Sequence, residues 1–107
     1  MSKSWKAFEL RMAKALKGKR RGPDYRGQHS GNCDIIHPDL APEVKLLSKV
    51  SWCDIQSAVK QAETNAGCQF PIVLIKKKGA LDRDTLVVFR LETFLHEYRP
   101  EDPLEAA

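Results

Sequence analysis

The chain has few cysteines, and their spacing excludes the sites that cysteines most often build. Cys33, Cys53 and Cys68 are odd in number and form no CxxC pair, so neither a disulfide framework nor a zinc knuckle is indicated. We expect three reduced thiols, mostly buried, because free cysteine behaves as a small hydrophobic residue. The three histidines also lack the spacing of zinc ligands, and we interpret them as surface or phosphate-contacting residues.

Long apolar runs are absent as well. No stretch approaches the roughly 20 apolar residues of a membrane span, and the first 16 residues are amphipathic instead of continuously apolar. We therefore expect a cytoplasmic protein with no membrane association. The 107 residues suffice for one domain, which we place at residues 1–98, followed by a disordered tail at 99–107.

Net positive charge is confined to the first part of the chain. Residues 1–29 hold nine Lys and Arg against two acids, whereas residues 30–107 hold nine against twelve. The charge is densest in a glycine-containing stretch, called the basic segment below, with a neighbouring aromatic: Lys17, Lys19, Arg20, Arg21, Tyr25 and Arg26. Such a cluster attracts a nucleic-acid backbone whatever its sequence. The alternative is a solvated loop without a partner.

Hydrophobic periodicity and turn residues predict an α/β fold. A Ser-x-x-Asp capping box and a later glycine delimit the central helix, and the β-branched runs after it are typical of buried strands. The predicted order is helix 4–17, a polar loop at 19–32, strands 33–37 and 41–47, helix 51–67, strands 70–77 and 85–91, and a short helix 92–98. The central helix suits a crossover that covers one face of a single sheet.

Three charged residues fall inside predicted strands, where apolar residues are expected. Side chains alternate along a strand, so Glu43 and Lys45 share one face. If the strands predicted at 33–37 and 41–47 pair as a hairpin, Asp34 lies beside Glu43. Two crowded carboxylates need neutralisation, and a hard divalent cation such as Mg²⁺ supplies it through oxygen ligands. The alternative is a surface ion pair between Lys45 and Glu43 on an exposed sheet face.

The runs "CDII" and "EVK" resemble the signature of the PD-(D/E)XK nucleases, with Cys33 in place of the usual proline. Glu9 on the first helix and Gln61 on the second match accessory positions of that family, and the order of elements is similar. The resemblance covers about residues 4–95 and is closest to the small archaeal and phage Holliday junction resolvases, whose basic loop ends in "SG", here Ser30 and Gly31. One departure is the lack of a convincing strand between the first helix and Asp34.

The resemblance implies a restriction-endonuclease-like fold, with a central mixed sheet flanked by helices in three layers. It also implies a metal-dependent endonuclease for four-way junctions or other branched DNA, acting as a homodimer. A restriction-like or repair nickase of duplex DNA and a catalytically silent DNA-binding module are the alternatives. The predicted interface consists of strand 85–91 with the apolar residues of the last helix: Phe94, Leu95 and Tyr98.

The same resemblance implies a role for each site residue. Asp34, Glu43, the Val44 carbonyl and Glu9 would ligate Mg²⁺, for which Mn²⁺ would substitute. Lys45 would position the attacking water. Gln61 would hold the phosphate or Lys45 in place. Ser30 would act on the phosphate from the basic loop.

Overall fold

The computed structural model of the chain describes residues 2–21 and 33–98. Its helices are α1 (Ser2–Leu16), α2 (Trp52–Ala66) and α3 (Leu91–Glu97), and a short 3₁₀ turn spans Asp82–Asp84. Its strands, again in chain order, are β1 (Lys19–Arg20), β2 (Ile35–Ile36), β3 (Leu40–Leu47), β4 (Phe70–Lys77) and β5 (Leu86–Val88). None of the helices in these ranges combines the length and apolarity that a bilayer crossing requires.

The main sheet is mixed and has the strand order β3-β4-β5. β3 and β4 run parallel, with Glu43 opposite Val73 and Lys45 opposite Ile75. β5 is antiparallel to β4. A parallel pair needs a long crossover, and α2 provides it between β3 and β4. The predicted α/β architecture with a mixed sheet and a crossover helix is therefore confirmed.

Helices cover both faces of the main sheet. Ile72 and Leu74 pack in one cluster with Phe8 of α1, whereas Val73 and Ile75 face the opposite way because side chains alternate along β4. They meet the small buried residues of α2, namely Ala58, Val59 and Ala62. The result is a layer of α1, a layer of sheet and a layer of α2, with β3 packed between the two helices.

The ends of α2 follow the predicted local chemistry. The Ser51 side chain accepts a hydrogen bond from the Asp54 backbone N–H at 3.1 Å, and the Asp54 carboxylate accepts one from the Ser51 N–H at 3.1 Å. Gly67, with φ 61°, closes the helix in a backbone region that favours glycine. These two caps fix where α2 begins and ends, and so fix its position along β3.

Several predicted boundaries were wrong. α1 spans Ser2–Leu16, so it begins two residues before the predicted start and ends one residue before the predicted end. The predicted strand 33–37 shrinks to Ile35–Ile36 and pairs with β1 instead of forming a hairpin with β3. The strand predicted at 85–91 is only three residues long. Two of the thiols are exposed, contrary to the expectation that most are buried: Cys53 and Cys68. The predicted tail 99–107 lies outside the described residues.

Candidate active site

The outer edge of β3 carries an aspartate where a neighbouring strand would otherwise pair. The Asp34 N–H donates to the Pro42 carbonyl at 3.1 Å, and the Val44 N–H donates to Asp34 Oδ2 at 2.8 Å. Pro42 has no N–H to offer a partner strand, which explains why the predicted hairpin does not form. Asp34 instead supplies the hydrogen-bond partners of this edge. Its backbone N–H serves the Pro42 carbonyl, and a carboxylate oxygen serves the Val44 N–H.

Glu43 lies beside Asp34 and is only 1% exposed. Asn65 Nδ2 of α2 donates to Glu43 Oε2 at 3.1 Å, and the two carboxyl groups lie within hydrogen-bonding reach of each other. Burial, followed by the charge of Asp34, raises the pKa of Glu43 to about 7. Burial also raises the pKa of Asp34. Without a cation, the pair therefore retains a proton close to neutral pH.

Lys45 extends from the same face of β3 as Glu43, and its Nζ donates to Gln61 Oε1 at 3.2 Å. Two residues along a strand cover roughly 6.6 Å and four along a helix cover roughly 6 Å. The spacing of Gln61 and Asn65 on α2 therefore matches that of Lys45 and Glu43 on β3, so that each amide meets one of the two charged residues. The alternative of an exposed ion pair does not hold, because Glu43 is buried and the ion pairs among the described residues do not include Lys45.

Glu9 reaches the same region from α1 and is 2% exposed. Burial, and to a lesser extent the charge of Asp34, raises the pKa of Glu9, although Arg20 opposes this. Arg20 Nε donates to Glu9 Oε1 at 2.7 Å. Within residues 2–21 and 33–98, no three His, Cys, Asp or Glu side chains form a group ready to hold a metal ion. The structure thus brings Asp34 and Glu43 together, but it leaves Glu9 in an ion pair.

The described part of the basic segment divides into two kinds of residue. Lys17 and Lys19 are exposed. Arg20 is engaged by Glu9, and Arg21 Nε donates to the Cys33 carbonyl at 2.6 Å. The arginines therefore anchor the segment to the body of the protein. The remaining predicted contacts lie outside the described residues: Tyr25, Arg26 and Ser30.

Asn65 is the site residue that sequence analysis missed. A signal for it was present, since Asn65 follows Gln61 by four residues, one helical turn, just as Lys45 follows Glu43 by two on a strand. Either spacing alone is common in proteins. The two become informative together only when β3 and α2 are known to be packed against each other, which the sequence pattern alone does not establish.

The donors around the acid pair suit a hard divalent cation. Asp34 Oδ2 is held by the Val44 amide and Glu43 Oε2 by the Asn65 amide. Both donors are neutral, so they orient the carboxylates without cancelling their charge. Buried carboxylates are costly unless charge is supplied, and oxygen ligands are those Mg²⁺ prefers. The residues present therefore fit a hard divalent cation such as Mg²⁺, which Asp34 and Glu43 would hold.

Comparisons with known proteins add no information about this site. Comparison with known protein families, with curated proteins and with solved structures finds no match to the chain. The resemblance to PD-(D/E)XK nucleases therefore has only this chain's own residues and element order behind it, and it stays a prediction.

Proposed function

We propose that this protein is a Mg²⁺-dependent endonuclease of the PD-(D/E)XK type, with a restriction-endonuclease-like fold, which cleaves branched DNA such as four-way junctions. The observation that carries the proposal is the pairing of half-buried Asp34 with buried Glu43, with Lys45 on the same strand face as Glu43. A protein that only binds DNA gains nothing from two neighbouring acids whose pKa values are raised by desolvation. A nuclease needs them to hold its cation.

Asp34 and Glu43 would hold the ion, and the Val44 carbonyl is suited to join them. The N–H and C=O of one residue in an extended strand point to the same edge, and the Val44 N–H already points to Asp34. When bound, Mg²⁺ lowers the pKa of a water molecule and offsets charge on the phosphate. Glu9 contributes only if its carboxylate leaves Arg20.

Lys45 would orient the attacking water and stabilise negative charge that develops on the phosphate. Its ammonium is already held by the Gln61 side chain, which reduces the reorganisation required during the reaction. Preorganised cations of this kind contribute strongly to phosphodiester cleavage because they oppose charge that appears only in the transition state.

Incubation of the purified protein with labelled four-way junction, linear duplex and single-stranded DNA tests the proposal. We expect cleavage of the junction in Mg²⁺ or Mn²⁺, and none in EDTA. Ca²⁺ should not support cleavage, because its looser coordination positions the water poorly. Undiminished cleavage in EDTA would contradict the metal mechanism, and equal cleavage of junction and linear duplex would indicate a duplex nickase.

The exposed lysines of the basic segment provide a test of DNA binding. Replacing Lys17 and Lys19 with Ala should weaken junction binding and reduce the salt dependence of log K by about 0.9 per lost phosphate contact. Binding would be measured by fluorescence anisotropy at several salt concentrations. Replacing Lys77 and Lys78, two exposed lysines outside the segment, is the matched control. An unchanged salt slope in the first variant would support the solvated-loop alternative.

The proposed reaction also requires two sites, because resolution of a junction takes two symmetric cuts. A two-fold dimer supplies the second site at a fixed distance. β5 ends the described sheet on the side opposite β3, and an edge strand can pair with a second copy of itself. Large apolar side chains around it are more than half exposed: Leu86, Leu91, Leu95, Tyr98 and Trp52. We propose that a second copy covers this surface.

Replacing Leu95 with Glu should convert the dimer to a monomer, because a charge in an apolar interface loses its hydration. Light scattering should then give about the mass of one chain, 12.1 kDa. Single nicks should persist while paired cuts within one encounter decrease. Leu10→Glu, at a residue of similar exposure on α1, is the control. Wild-type protein that is monomeric at micromolar concentration yet cuts in pairs would contradict the dimer.

A further inference from the structure

We propose that Asn65 is a positioning residue that determines how tightly the acid pair binds a divalent cation. The inference rests on the cation site of the proposed function, and it assigns to α2 a role that the sequence signature does not contain. Asn65 would act through Glu43, by fixing the orientation of its carboxylate, and would not contact the cation itself.

The charge of the hydrogen-bond donor distinguishes Glu43 from the other buried glutamate. Glu9 accepts from the guanidinium of Arg20 at 2.7 Å, so its negative charge is already compensated within the protein. Glu43 accepts from the neutral amide of Asn65 at 3.1 Å. A neutral donor fixes the carboxylate but leaves its charge available to a cation, whereas a guanidinium competes with the cation for the same oxygen.

The backbone around Asn65 is well fixed, which makes the amide an accurate support. Its neighbour Ala66 and, one turn earlier, Ala62 are buried, and Gly67 closes the helix immediately afterwards. Asn is a poorer helix former than Ala by roughly half a kcal/mol, so local helix stability does not explain its presence. Its side chain contributes instead a hydrogen bond to the most buried acid of the site.

The two amides on this side of α2 would then have separable tasks. Asn65 holds Glu43 and would govern cation affinity. Gln61 holds Lys45 and would govern the rate of the chemical step. Loss of one amide should therefore leave the task of the other almost unchanged, and that separation distinguishes positioning from a general effect on helix packing.

Direct titration of the DNA-free protein with Mn²⁺ tests the inference, either by calorimetry or by the electron paramagnetic resonance signal of free Mn²⁺. We expect Asn65→Leu, which keeps the side-chain shape and removes the donor, to raise the Mn²⁺ dissociation constant by about 10- to 100-fold. Asn65→Gln, which retains an amide, should recover part of the affinity. Gln61→Leu, the matched control on the same helix, should stay within about threefold of wild type, since its partner is Lys45.

A DNA cleavage assay adds a second readout. With Asn65→Leu, the cleavage rate should recover at saturating Mn²⁺, whereas with Gln61→Leu it should stay low. A folded Asn65→Leu protein with the wild-type dissociation constant would overturn the inference, and Asn65→Ala decides the question if the leucine variant does not fold. Wild-type protein that fails to bind Mn²⁺ would overturn it too. Wild-type protein that binds Mn²⁺ but cleaves no DNA would contradict only the proposed function.

Discussion

Replacing Glu43 with Gln should lower the rate of Mg²⁺-dependent cleavage by about 10²- to 10³-fold and, in the cation-free protein at pH 8, should raise the free energy of unfolding. The first effect follows from the loss of a proposed cation ligand. The second follows from burial, because a neutral amide of nearly the same shape avoids the desolvation of a carboxylate that is 1% exposed. Opposite changes in activity and stability are expected where a group is retained for function.

The pH dependence of this stability has a definite sign. The pKa of Glu43 is raised from 4.5 to about 7 in the folded protein, so the folded state binds more protons between these values. The stability contributed by neutral Glu43 is fully present below about pH 4.5 and is lost as the pH rises through about 7. The wild-type protein should lose up to about 3 kcal/mol of stability across this window, and Glu43→Gln should lose much less.

Urea unfolding in EDTA at pH 5 and pH 8 measures this difference. Glu92→Gln, at an exposed carboxylate of α3, is the control and should follow the wild-type pH dependence. If Glu43→Gln and wild type lose the same free energy between the two pH values, Glu43 does not carry the raised pKa. Added Mg²⁺ should stabilise the wild-type protein more at pH 8 than at pH 5, because the cation binds the deprotonated pair.

Replacing Lys45 with Ala should decrease cleavage by at least about 10²-fold while cation binding is retained. The ammonium is positioned by Gln61 and would act on the attacking water and the phosphate. Its positive charge also opposes a nearby cation, so its removal should leave Mn²⁺ affinity equal or increased at pH 8. Measurement of the single-turnover rate and of the Mn²⁺ dissociation constant on the same samples separates the two effects.

Lys49→Ala provides the matched control for this variant, because Lys49 is exposed and follows β3 in the turn before α2. It should cleave at the wild-type rate. If Lys45→Ala cleaved normally, the lysine would have no part in the chemistry. If it lost Mn²⁺ binding as well, its effect would be on the structure of the acid pair instead.

The sequence predicted the β3–α2–β4 unit well because each part of it has a strong local signal. Ser51 and Asp54 cap the helix, Gly67 ends it, and residues 70–75 of β4 form a continuous apolar run. β1 and β2 have only two residues each, and their pairing depends on groups distant in the chain. Such pairing leaves no local pattern, so these strands could not be predicted accurately.

Part of the site could be predicted for a similar reason. Alternation along one strand places Glu43 and Lys45 on one face, and this requires no knowledge of the rest of the fold. The partner of Glu9 could not be predicted, because position on a helix does not identify the charge that will face it. Charge alone predicts DNA contacts at Arg20 and Arg21, but it does not reveal that both also bind groups within the chain.

The bond from the Val44 amide to Asp34 has a consequence for hydrogen exchange. Most amides of a sheet are protected by a neighbouring strand and exchange only when that pairing opens. The Val44 amide is protected instead by a carboxylate that lies ten residues away in sequence, on the segment leading into β2. Its exchange rate therefore reports whether Asp34 is docked, separately from whether β3 and β4 remain paired. Comparison of Val44 with other β3 amides would show whether the acid pair separates while the rest of the sheet stays folded.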